Sequence, residues 1–236
     1  VWGETSLRIA AFCKSKQMKP TIKIDFVSDV ACPWCAVGLG NLNHAIAHLG
    51  DKASFEVHFR PFELNPNMPE SGQDAIEHLK QKYGLSESQI KANQANIRLK
   101  AREAGFEFHS EGRKHVYNTF DAHRLLYWAA EEYGLNEQAA LKKELLTTYF
   151  CLSVHFNEHQ SLLDAVDRAA LNRGRATDVL NSDSFSQAVR DEERTYIDLG
   201  ITAVPSIIID SQYLLQGAQP PDVFINAFEK VLTGHE

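Results

Sequence analysis

Near the start of the chain, apolar and polar residues alternate in two separate stretches. In Thr21-Ile22-Lys23-Ile24-Asp25-Phe26-Val27 the apolar side chains fall on every second position, and Ser54-Phe55-Glu56-Val57-His58-Phe59 repeats the pattern. A period of two predicts strands. Between these stretches the period changes. Cys35, Leu39, Leu42, Ile46 and Leu49 are spaced by 4, 3, 4 and 3 residues, which defines one face of a helix over about Pro33 to Leu49. Pro33 suits a first helical turn, where its missing N–H has no partner to lose, and Gly50 closes the segment. The order is strand, helix, strand.

After the loop Asn65-Pro66-Asn67-Met68-Pro69 the texture turns helical. The pattern predicts helices over 73–83, 86–104, 118–133, 137–150, 161–172 and 183–199, with Gly84, Gly105, Gly134 and Gly174 as breaks. Strands then return. Ser206-Ile207-Ile208-Ile209-Asp210 reads as a short buried strand, and Gln212-Tyr213-Leu214-Leu215 pairs with it across a two-residue turn. A last helix over 221–232 carries Val223, Phe224, Ala227, Phe228 and Val231 on one face. The fold class is α/β, in the order β-α-β, a large all-helical insertion, then β-β-α. This divides the chain into an α/β domain from 20–65 and 191–236, an inserted helical domain over 66–190, and an N-terminal extension over 1–19. Met18, just ahead of the first strand, is a candidate start.

Composition narrows the function classes. Of 236 residues, 44% are hydrophobic and 23% charged, ordinary values for a chain with a substantial core. Lys plus Arg number 24 against 31 Asp plus Glu, a net charge of −7, which gives no bulk attraction to nucleic acid or an anionic membrane. No apolar run approaches the ~20 residues of a membrane span. The first 17 residues lack the apolar centre of an export signal. The expectation is a soluble, cytoplasmic protein that binds neither nucleic acid nor membrane.

Four cysteines, at 13, 32, 35 and 151, are too few for a disulfide scaffold. Cys32-Pro33-Trp34-Cys35 stands out by its place, at the junction of the first strand and the first helix. There Cys32 takes the exposed helix end, where free N–H groups and the helix dipole favour a thiolate. Cys35, one turn inside beside Leu39 and Leu42, stays a protonated thiol. Residues i and i+3 share a face, so the two sulfurs come within reach of each other. A zinc site would need further ligands at finger spacing, and none follows. Cys151, after an apolar helical run, reads as a buried inert thiol, and Cys13 lies in the extension.

Other patterns carry less. His44 and His48 lie opposite the core face of their helix, on a solvated side. His155 and His159 share the spacing but lack the glutamate of a metalloprotease motif, and no metal is expected. Gly38-Leu39-Gly40 lacks the third glycine of a dinucleotide fingerprint and falls within a helix. Gly200-Ile201-Thr202-Ala203-Val204-Pro205 leads directly into the third strand, where a proline fits a cis bond in a tight turn.

Together these features resemble the thioredoxin superfamily. The likeness is to its DsbA-like branch, which includes FrnE-type oxidoreductases and 2-hydroxychromene-2-carboxylate isomerases. It runs from residue 20 onward and is supported by Phe26-Val27-Ser28-Asp29-Val30, Pro61-Phe62-Glu63-Leu64-Asn65-Pro66, Asn118 to Leu125 and Gly217-Ala218-Gln219-Pro220. It implies a thioredoxin fold with a helical insertion, and a thiol–disulfide oxidoreductase with Cys32 as nucleophile, Cys35 as resolving thiol and Pro205 as a facing cis-proline. Substrate would meet Pro33, Trp34 and the Val204 backbone, and Asn118, Phe120 and His123 on an inserted helix bordering the groove. No metal or organic cofactor is implied, with glutathione a candidate cosubstrate or redox partner. Implied partners are protein or glutathione thiols and disulfides, and a second copy in a homodimer. Two other readings stay open: a glutathione-dependent isomerase or transferase, and a noncatalytic peptide-binding module.

Overall fold

The computed structural model describes residues 19–152 and 154–234. Residues 1–18 of the N-terminal extension, Cys13 and Met18 among them, therefore lie outside the described residues. Four strands build the main sheet: β1 (Thr21–Ser28), β2 (Ser54–Pro61), β5 (Ser206–Ile209) and β6 (Tyr213–Gln216), in the order β2-β1-β5-β6. β1 runs parallel to β2, with Ile22 opposite Phe55 and Phe26 opposite Phe59, and antiparallel to β5. The parallel pair needs a crossover, and α1 (Pro33–Leu49) supplies it. β5 and β6 are joined by a turn whose two central residues, Asp210 and Ser211, both have positive φ. That geometry matches the twist of a hairpin. The last helix, α9 (Pro221–Thr233), packs against α1 and buries Phe224 and Phe228. This is a thioredoxin fold, with its β-α-β and β-β-α halves separated by a long insertion.

The intervening chain forms α2 (Ala75–Tyr83), α3 (Glu87–Glu103), α4 (Phe120–Glu132), α5 (Leu135–Phe150), α6 (His159–Arg168), α7 (Arg173–Leu180) and α8 (Ser186–Asp198). It is not wholly helical: β3 (Gln73–Asp74) and β4 (His115–Val116) pair as a short antiparallel ribbon. Two strands of two residues leave too little period to be seen in a sequence. α7 was also not predicted, because Gly174 reads as a break. Glycine lies instead in the first turn of α7, and the Asn172 side chain caps that turn by accepting the Arg175 N–H at 2.9 Å. α8 runs without interruption through residue 190, where the sequence pattern places the end of the insertion.

One hydrophobic core runs from the sheet into the helices. Ile24, Phe26, Leu42 and Ile207 share it with Trp128, Leu141, Leu145 and Val166, all buried. α5 packs on β2, where the buried Gln138 side chain accepts the Phe59 N–H at 3.0 Å and donates to the Phe59 carbonyl at 3.1 Å. The glycines Gly38 and Gly40 find their explanation in packing. A Cβ on Gly40 would lie 2.0 Å from the Ala104 carbonyl oxygen at the end of α3, and one on Gly38 would lie 3.1 Å from the Pro205 ring. Both keep α1 tight against its neighbours.

Candidate active site

β1 ends at Ser28, and the next four residues turn the chain into α1. Asp29 makes that turn. Its buried carboxylate accepts the Ala31 N–H at 3.0 Å and, from across the loop after β2, the Leu64 N–H at 2.8 Å. The Cys32 N–H donates to the Asp29 carbonyl at 3.2 Å. Cys32 is the N-cap of α1, in extended conformation (φ −91°, ψ 113°), with Pro33 in the first turn as the sequence predicts. Cys35 follows one turn on, fully buried beside Leu39 and Leu42. The two thiols are near each other and unbonded.

The protonation preferences of the pair diverge. The Cys35 thiol, hydrogen-bonded to the Cys32 sulfur, outweighs burial and the nearby Asp29 charge and holds the Cys32 thiol below the ordinary cysteine range; the N–H groups of Cys35 and Trp34 add to it. Burial, together with that same contact, pushes Cys35 well above its ordinary value. Of the two thiols, Cys32 is therefore the one that ionises more readily. Cys151, half-buried at the end of α5, is pushed up to about 11 by burial and has no such neighbour.

The exposure of Cys32 departs from expectation. It is 4% exposed, not open at a helix end. The walls of a cavity of about 700 Å³ enclose it: Ala31, Pro33 and Trp34 beside it, Thr202 to Val204 on one side, and α2 and α3 across the opening. Trp34 stands at the rim, 36% exposed. The Cys32 Sγ lies 3.6 Å from the Val204 carbonyl oxygen, and the Val204–Pro205 peptide is cis. Pro205 itself is buried over α1 at Gly38.

Of the residues expected to line the groove, Pro33, Trp34 and Val204 do so, whereas Asn118, Phe120 and His123 do not. The Asn118 side chain accepts the Phe120 N–H at 2.8 Å and shapes the start of α4. The Phe120 ring lies under the Arg190 guanidinium, 3.8 Å from it. His123 is buried, with Nε2 3.6 Å from the Asp29 carboxylate. Placed on the inner side of α4, it faces the back of the cysteine turn rather than the cavity. The wall facing solvent comes from α2 and α3 instead, through His78, Lys82, Tyr83, Ile90, Ile97 and Arg98.

Several charged groups of the site carry no motif. Burial alone would raise Asp29, but His123 and the two N–H donors outweigh it and hold the carboxyl below the usual range. Glu63, after β2, lines the cavity with one oxygen unpartnered, while Arg190 holds the other. Lys142 on α5 is wholly buried, its Nζ without a hydrogen-bond partner among the described residues. Burial lowers its pKa, and the charges of Cys35, Asp29 and Cys32 oppose that shift. Helical spacing is the one signal for it, since Lys142 shares a face with Leu145 and Leu146.

Among the described residues no cluster has the donors for a metal ion, and no helix is long and apolar enough to cross a membrane. No curated protein is similar in sequence. A probable DsbA oxidoreductase from Streptomyces coelicolor is 32% identical, with 91% of each chain covered and a TM-score of 0.83. More distant in sequence but alike in fold are a 2-hydroxychromene-2-carboxylate isomerase (12% identity, 90% and 97% covered, TM-score 0.67) and the cytosolic disulfide reductase DsbM from Pseudomonas aeruginosa with GSH (16%, 89% and 99%, TM-score 0.58). The model of the DSBA-like thioredoxin domain matches residues 23–229, nearly the whole chain, and the chain belongs to that family.

Proposed function

We propose that the protein is a thiol–disulfide oxidoreductase that works through the Cys32/Cys35 pair. The observation that carries this reading is the opposite protonation preference of two adjacent thiols, one at a helix N-terminus and one beneath it. The Cys32 thiolate attacks one sulfur of a substrate disulfide R–S–S–R′. The S–S bond breaks, R′S⁻ leaves and takes up a proton, and Cys32–S–S–R forms. Cys35 then gives up its proton and attacks the Cys32 sulfur. RS⁻ departs with a proton, and a Cys32–Cys35 disulfide remains. The substrate gains two electrons and two protons, and two molecules of a thiol such as glutathione return the same number to the pair as they join in a disulfide. Run backwards, the steps oxidise a dithiol. Glutathione as redox partner is in keeping with DsbM, whose structure was solved with GSH.

A glutathione-dependent isomerase needs no second thiol, so the placement of Cys35 favours exchange over that alternative. Turnover of bis(2-hydroxyethyl) disulfide with glutathione tests the reading. Activity should vanish in Cys32→Ser, and Cys35→Ser should accumulate the mixed disulfide, visible by intact mass. Full activity in Cys32→Ser would end it.

A further inference from the structure

Cys32 is 4% exposed, so a substrate sulfur must reach it through the cavity and not across an open surface. At about 700 Å³ the cavity has the size of a small-molecule site. Its walls are largely apolar, with Phe62, Leu79, Ile90, Ile97, Phe108 and Phe150 among them. Three cations, Lys82, Arg98 and Arg113, also line it.

None of these cations has a carboxylate partner among the described residues. Lys82 donates to the Leu64 carbonyl and the Asn65 side chain, each at 2.8 Å. Arg113 donates to the Ala31 carbonyl at 2.6 Å, with its guanidinium 5.8 Å from the Tyr149 and Phe150 rings. The Arg98 side chain makes no hydrogen bond or ion pair among the described residues. Among the described residues the single carboxylate lining the cavity, Glu63, is held by Arg190 through one oxygen and leaves the other unpartnered. In a chain of net charge −7 this is a locally positive, apolar recess. Unpaired guanidinium and ammonium groups beside apolar walls suit a ligand with an apolar body and carboxylate ends.

We propose that the cavity takes a small amphipathic anion, an apolar thiol or disulfide bearing carboxylate groups, whose charges meet Lys82 and Arg98 while its sulfur faces Cys32. This rests on the exchange reading of Cys32, and a probe that cannot exchange separates the two. The probe is 4,4′-thiodibenzoate, a dianionic thioether, with its diamide as the neutral counterpart. Binding is measured by calorimetry on the Cys32→Ser/Cys35→Ser protein. The same dianion is added to the reduced wild type to protect Cys32 from iodoacetamide.

The dianion should bind more tightly than the diamide, protect Cys32, and lose about tenfold or more in affinity in Lys82→Gln/Arg98→Gln. The diamide should be indifferent to that change. Equal affinity for the two probes, or equal losses in the double variant, would overturn the proposal. So would binding that leaves Cys32 unprotected. Disulfide turnover that persists while the dianion fails to bind would sink the proposal and leave the exchange reading standing. Binding without turnover would do the reverse.

Discussion

Removing the Cys35 thiol should weaken the Cys32 thiolate more than any change at the helix end itself. The contact from Cys35 is the largest influence holding Cys32 below its ordinary value, ahead of the backbone N–H groups. Cys35→Ala deletes that donor; Cys35→Ser keeps a hydroxyl that can replace it. Both leave the N-terminus of α1 intact. A hydrogen bond to a charged group contributes about 1.5–3 kcal/mol, and each pKa unit corresponds to about 1.4 kcal/mol. The Cys32 midpoint should therefore rise by about 1–2 units in Cys35→Ala relative to Cys35→Ser. The assay is iodoacetamide alkylation across pH, with the Cys32 peptide followed by mass spectrometry so that Cys151 is scored separately. Stability should track the same group. A folded-state pKa below the unfolded one contributes stability that is present above the unfolded value, near 8.5, and is lost as pH falls through the folded one. Within that window the reduced Cys35→Ser protein should gain more stability with rising pH than Cys35→Ala does. Identical midpoints in the two variants would refute the reasoning and assign the thiolate to the helix terminus alone.

Gly40→Ala should destabilise the protein by about 2 kcal/mol or more, since the new Cβ would sit 2.0 Å from a backbone carbonyl that only a shift of α3 against α1 can relieve. Urea denaturation checks it, and an unchanged midpoint would contradict the close packing. Lys142→Met should stabilise by about 1–3 kcal/mol, because it replaces a buried amine lacking a partner with an apolar chain of similar size. Burial holds the Lys142 pKa down, so between its folded value and the unfolded one near 10.4 the native state binds fewer protons. Wild-type stability should rise with pH there by an increment that Lys142→Met lacks. Loss of stability in that variant would mean that the amine is held by more than the described contacts.

Most of the fold was legible because its signals are periodic. The two strand–helix halves announce themselves by spacing, and Cys-Pro-Trp-Cys marks the seam between the first strand and helix. α7 and the ribbon were not legible, one because Gly174 imitates a break and the other because four residues carry no period. The cysteine roles could be read from position on a helix. The exposure of Cys32 could not, since the walls of its cavity come from Thr202 to Val204 and from α2 and α3, all 40 or more residues away along the chain. Asn118, Phe120 and His123 were misplaced for a related reason. A pattern assigns residues to a helix, but which side of that helix faces the cavity depends on how α4 packs against the cysteine turn.

Four groups around the cysteine turn, only His123 of them among the expected site residues, share a property. Asp29, Glu63, His123 and Lys142 are ionisable, buried and drawn from four different elements or their ends. Asp29, Glu63 and His123 fall in segments that carry the family resemblance and Lys142 in none, and what each touches is set by proximity in space. Asp29 places a negative charge where it opposes the Cys32 thiolate, and Lys142 places an amine where it favours ionisation of Cys35. On the proposed exchange reading, the first opposes ionisation of the nucleophile, and the second favours loss of the Cys35 proton when the mixed disulfide is to be resolved. Once Cys32 is in the mixed disulfide it carries no ionisable thiol, and the second thiolate must form on Cys35. The helix terminus acts on Cys32 and leaves the ionisation of buried Cys35 to other groups. Lys142, buried beneath the motif, therefore bears on the second step, as the short sequence around the cysteines bears on the first.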